Sequence, residues 1–104
     1  MAENNLEQQN QINIELPEDV ADGTYANLAI IAHSQSEVVL DFIRIMPNMP
    51  KARVKSRIIL TPSHAKRLMR ALMDNVKKYE QQYGVIDEKE NAYPALNFAP
   101  TAQA

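Results

Sequence analysis

The sequence has 104 residues, a formal net charge of −2 and no cysteine. Disulfide stapling and thiolate metal sites are thereby excluded, and a chain this short holds one domain with a small core. The charge is unevenly spread: ten of the eleven Lys and Arg residues fall between Arg44 and Lys78, with Asp74 the one acid among them. A basic half inside an acidic average points to a polyanion or an acidic partner.

Residues 1–10 are almost all polar and read as a disordered N-terminal tail. They carry no basic stretch followed by an apolar one, and no run in the chain approaches the roughly 18 apolar residues that a membrane helix needs. A cytoplasmic protein without a membrane partner is the expectation.

Gln11 to Leu16 alternates, with Ile12, Ile14 and Leu16 on one side, and this predicts a first strand that Pro17 ends. Asp22-Gly23 closes a turn region. Tyr25 to His33 and Glu37 to Met46 predict a second and a third strand, joined as a hairpin by Ser34-Gln35-Ser36. After the proline-limited loop Met46-Pro47-Asn48-Met49-Pro50, Ala52 to Thr61 predicts a fourth strand. Strict period two would set Arg53, Lys55 and Arg57 side by side on one of its faces.

Thr61 is a good N-cap, and Pro62 suits a first helical position, where no amide partner is needed. Ala65, Leu68, Met69, Leu72, Met73, Val76, Tyr79 and Tyr83 then form one apolar stripe, and Gly84 is the expected stop. Residues 85–104 mix charge, proline and alanine without a period and read as a flexible tail. The expected fold is α+β: over residues 11–84, a four-stranded antiparallel sheet followed by one long C-terminal helix (ββββα).

Strands two and three are apolar on both faces, whereas a solvated antiparallel face shows clean alternation. One helix covers one face. A second copy of the chain is the simplest cover for the other, through Ile31, Val39, Ile43 and Ile45. The competing cover is the chain's own tail. There Tyr93, Leu96 and Phe98 form an aromatic–apolar cluster that either folds back or docks on a partner.

Arg53, Lys55 and Arg57 on the strand and Lys66, Arg67 and Arg70 on the helix are the candidate nucleic-acid contacts. Like charges three and four residues apart on a helix repel, and tolerating that repulsion suggests a use for it. The competing reading is a solvated helix face and a charged strand edge that deters aggregation. Aromatic residues are not interleaved with these cations, and Tyr25, Phe42, Tyr79 and Tyr83 read as core.

The rest of the inventory argues for a binding protein and against an enzyme. His33 and His64 lack companions with metal-ligand spacing, so no metal or cofactor is expected. Glu37 and Asp41 lie roughly 13 Å apart along a strand, too far for paired acid–base work. Asp41 reads better as a cross-strand partner for a cation such as Arg57. There is no nucleophile elbow and no glycine-rich phosphate loop, so no catalytic residue and no small-molecule substrate are expected.

The set Gly23-Thr24-Tyr25-Ala26-Asn27, Glu37-Val38-Val39-Leu40-Asp41-Phe42, Ala52-Arg53-Val54-Lys55-Ser56-Arg57-Ile58, Thr61-Pro62 with Lys66, Leu68, Leu72 and Tyr79-Glu80, and Tyr83-Gly84 resembles bacterial domain of unknown function 3467 over about residues 12 to 84. Members of that family are often encoded beside the RNA polymerase β′ subunit. The resemblance therefore implies a transcriptional setting and RNA polymerase as a partner.

The element order is also similar to the single-strand-binding coactivator and Whirly type, which binds nucleic acid on its sheet and dimerises. Here the chain departs from that pattern by lacking an aromatic platform. The order is similar, too, to the SecB export chaperone, which tetramerises and holds unfolded chains in apolar grooves. Fold-level likeness does not fix function. The functional expectation is a small, homodimeric or higher-oligomeric, non-enzymatic binding protein that contacts nucleic acid or the transcription machinery through its basic strand and helix. The alternative is a protein–protein module, either an RNA polymerase accessory subunit or a SecB-like adaptor, that uses the apolar sheet face.

Overall fold

A computed structural model describes residues 11–88, in the order α1 (Glu18–Ala21), β1 (Leu28–His33), β2 (Val38–Arg44), β3 (Arg53–Leu60) and α2 (Pro62–Tyr83). The chain divides into two compact units between Pro62 and Ser63, so the sheet belongs to the first and nearly all of α2 to the second. The α+β class and the antiparallel sheet followed by a C-terminal helix are as expected. The sheet has three strands, in the order β1-β2-β3, where four were expected.

The missing strand is the first. Residues 11–16 alternate in sequence but enter no ladder, and Ile12, Ile14 and Leu16 are 81%, 93% and 69% exposed. Alternation makes a segment able to form a strand, while a ladder needs a neighbour with free backbone groups. In place of a strand, Pro17 starts the single turn of α1. Its carbonyl accepts from the N–H groups of Val20 and Ala21, both at 3.0 Å. Gly23 then turns the chain at φ 77°, a conformation that only glycine adopts without strain.

The hairpin of β1 and β2 forms as the sequence suggests. Ser34 Oγ accepts from the N–H groups of Ser36 (3.3 Å) and Glu37 (3.2 Å), and the Ser34 N–H donates to the Glu37 carbonyl at 2.9 Å. At the other end of the ladder the Asn27 side chain stands in for a strand residue. Its Oδ1 accepts from the Ile45 N–H at 2.7 Å and its Nδ2 donates to the Ile45 carbonyl at 2.9 Å. In the loop to β3, the Met49 N–H reaches the Met46 carbonyl at 3.4 Å, with Pro47 and Asn48 between them and Asn48 at φ 64°. Proline followed by a residue of positive φ is what a type II turn requires.

Between β2 and β3 the register shifts by one residue. Phe42 faces Ser56, and Ile43 faces Val54, so Lys55 is the extra residue of a β-bulge. The bulge inverts the alternation along β3. Arg57 pairs with Asp41 on one face, whereas Arg53 pairs with Arg44 on the other. The single basic face expected of Arg53, Lys55 and Arg57 is therefore not formed. Period two holds only along an unbroken ladder, and no composition signal marks the break.

Little of this surface is covered. Among the described residues only Ile43 (5% exposed) and Asp41 (3%) are buried, and α2 buries none of its 22 residues. The set Ile31, Val39, Ile43 and Ile45 does not make one patch either. Ile31 pairs with Leu40, on the face opposite Val39 and Ile43, and Ile43 is already enclosed. No described helix is long and apolar enough to cross a membrane.

Candidate nucleic-acid interface

The two sheet faces differ in chemistry. One carries Val39, Asp41 and Ile43 of β2, flanked by Leu28, Ile30 and Ala32 on β1 and by Val54, Arg57 and Ile59 on β3. Its charge is neutralised at the centre. Arg57 Nε donates to Asp41 Oδ1 at 2.7 Å and Nη2 to Oδ2 at 2.9 Å, a two-bond fork of the strong, charge-assisted kind. The guanidinium bonding holds the Asp41 carboxyl below its ordinary value, outweighing the burial that would raise it. This is the cross-strand pair expected for Asp41. It leaves Arg57 bound to an acid within its own sheet.

The opposite face carries Phe42 and Arg44 of β2, with Arg53, Ser56 and Ile58 on β3. Here Arg44 and Arg53 stand directly opposite each other across the ladder, a like-charge arrangement that costs stability. Neither is ion-paired to an acid among the described residues. The Arg44 guanidinium lies 5.9 Å from the centre of the Tyr25 ring, within reach of a cation–π contact, and Tyr25 is 68% exposed. Next along the same face, Thr24, Ala26, Phe42, Ser56 and Ile58 line an open hollow of about 270 Å³. Two cations, an exposed aromatic ring and an apolar hollow are thus contiguous on one surface. That combination can hold phosphate oxygens and a planar base together.

Of the residues expected to bind, Arg53 lies in this cluster, Lys55 sits on the bulge beside it, and Arg57 faces the other way. Lys66, Arg67 and Arg70 lie on α2, in the second unit, where Lys66, Arg70 and Lys77 fall within roughly 40° of one another around the helix axis. None of these four is ion-paired to an acid among the described residues, while Lys78 Nζ meets Asp74 Oδ2 at 3.1 Å. Tyr93, Leu96 and Phe98 lie outside the described residues. No group of three or more His, Cys, Asp or Glu side chains that could hold a metal occurs among the described residues.

Sequence reasoning missed Tyr25 and Arg44. Tyr25 reads as core because aromatic rings usually bury, yet it precedes the first paired residue of β1 and is 68% exposed. Arg44 shares the parity of Phe42 along β2, so its face was legible once that strand was recognised. Its opposition to Arg53 was not, because the bulge sets it.

A family model described as a protein of unknown function (DUF3467) matches residues 1–88. Comparison with curated proteins and with solved structures returns no match.

Proposed function

The chain belongs to the DUF3467 family of proteins of unknown function, and we propose that it is a non-enzymatic binding protein whose Phe42-bearing sheet face takes single-stranded nucleic acid. The observation that carries this reading is the Arg44–Arg53 pair, opposed across the ladder, with neither arginine ion-paired to an acid among the described residues and with the exposed Tyr25 ring against Arg44. A phosphate between the two guanidiniums would turn their repulsion into paired charge-assisted bonds, and a base would stack on Tyr25 or enter the hollow beside Phe42. The unpaired cations of α2 add general attraction for a phosphate backbone. A partner in the transcription machinery fits the same reading.

The test is fluorescence anisotropy of a labelled oligonucleotide against the full chain over a salt series. Binding should weaken linearly on a log–log plot, with a slope of roughly −0.7 per phosphate neutralised. Exchanging Arg44 and Arg53 for Glu should abolish it. Tyr25→Ala should cost about 1–3 kcal/mol, while Tyr25→Phe keeps most of the affinity. Failure to bind at low salt, or binding indifferent to the double exchange, would sink the proposal.

That negative outcome would favour a protein–protein module, for which the exposed row Ile12, Ile14 and Leu16 is the specific observation. Such a row can complete a strand against a partner's sheet edge, as in an RNA polymerase accessory subunit or a chaperone-like adaptor.

A further inference from the structure

Within the exposed stripe of α2 runs a stricter pattern. Ala65, Met69, Leu72, Val76, Tyr79 and Tyr83 are spaced by four, three, four, three and four, the a/d repeat of a helix seam and not merely the wider band of an amphipathic helix. None of the six is buried: Leu72 is 60% and Tyr83 68% exposed. Tyr79 and Tyr83 meet at the C-terminal end of the seam, with ring centres 5.0 Å apart and planes tilted by 48°.

We infer that α2 pairs antiparallel with α2 of a second copy, about a two-fold axis level with Asp74. The occupant is identified by self-complementarity. Centred there, the pairing sets Ala65 against the partner's Tyr83, Met69 against the partner's Tyr79 and Leu72 against the partner's Val76, each twice. Every seam residue has a counterpart, and the smallest faces one of the largest, as interdigitating layers require. Methionine against tyrosine adds a sulfur–aromatic contact.

The flanking positions agree. In the same register Lys66 lies beside the partner's Glu80, twice, and the remaining flanking residues, Leu68, Met73, Asn75 and Gln82, are uncharged. A parallel pairing instead leaves Lys66 and Glu80 fourteen residues apart, roughly 21 Å along the axis. Glu80 Oε2 accepts from the Ile86 N–H at 2.9 Å, which leaves Oε1 for the lysine. Arg67, Arg70, Lys77 and Lys78 fall on the outer side of the pair, so this inference stands independently of the nucleic-acid reading.

Sedimentation equilibrium of the full chain tests it. The wild type should run at twice the chain mass, and Leu72→Asp should run as a monomer. Lys66→Glu alone and Glu80→Lys alone should each weaken the dimer by about tenfold, because each converts two attractive pairs into repulsive ones. The double exchange should restore it, a rescue that a misfolded variant would not show. With no native cysteine, orientation can be read directly. A mixture of Lys66→Cys and Glu80→Cys chains should give an oxidised mixed pair, and either chain alone should not. A monomeric wild type, a double exchange no better than the singles, or no mixed disulfide would overturn the proposal.

Discussion

At the scale of single residues, the sheet depends on two polar arrangements that substitute for the apolar contacts a larger core would supply. Asn27 extends the ladder beyond β1 by bonding both backbone groups of Ile45. Asp41, one of two buried side chains among the described residues, keeps its charge because Arg57 grips both of its oxygens. The sign of the resulting pH dependence follows. The folded-state pKa of Asp41 lies below its ordinary value of about 3.9. The pair's stabilisation is therefore complete above that value and is lost as the pH falls through the lower, folded one. Acid unfolding followed by circular dichroism should show this loss in the wild type below about pH 4. Asp41→Asn should be less stable at neutral pH and should lack this part of the acid dependence. A variant with an unchanged acid profile would show that the pair is energetically idle.

At the scale of elements, the ends of α2 and the bulge in β3 contrast. The helix boundaries follow from local chemistry: Pro62 at the first position, Gly84 just past the last. The Gly84 N–H donates to the Glu80 carbonyl at 2.9 Å with φ at 99°, a left-handed C-terminal cap. Nothing lies within 4 Å of where a Cβ would stand, so Gly84→Ala meets only backbone strain. We expect a cost of about 1–2 kcal/mol, read as a lowered midpoint of the helical signal on heating. An unchanged midpoint would mean that the last turn contributes nothing to cooperative folding. No comparable local signal announces the bulge at Lys55, because a bulge is a property of two strands. Yet it decides which arginine meets Asp41 and which meets Arg44, and so which sheet face is neutral and which is cationic.

At the scale of the whole molecule, the outstanding feature is how little the described residues bury. Among the described residues one apolar residue, Ile43, is buried, while Ile31, Ile59, Met69 and Leu72 are more than half exposed. A chain that leaves this much apolar surface in water lacks the burial that ordinarily offsets the entropy of ordering. If α2 pairs with a second copy as inferred above, assembly contributes to its stability. Because dilution favours the dissociated, unfolded chain, the thermal midpoint should rise with protein concentration. A midpoint constant over a hundredfold dilution would mean that the single chain is stable alone.

The sequence by itself determined the hairpin, the helix and its caps, the Asp41–Arg57 pairing and the family, because each is written in local chemistry or in an unbroken period. Ser34 turns, Pro62 starts, Gly84 stops, and Asp41 and Arg57 are opposite charges within one β-hairpin's reach. Tertiary structure alone decided three other matters. Ile12, Ile14 and Leu16 alternate as a strand does, but a strand also needs a ladder, and among the described residues this segment joins neither free edge of the sheet. The apolar set Ile31, Val39, Ile43 and Ile45 divides between two faces because β1–β2 register assigns each residue to its side. Arg44, Arg53 and Tyr25 come together because one extra residue shifts β3 against β2, and period-two reasoning does not extend across a register shift.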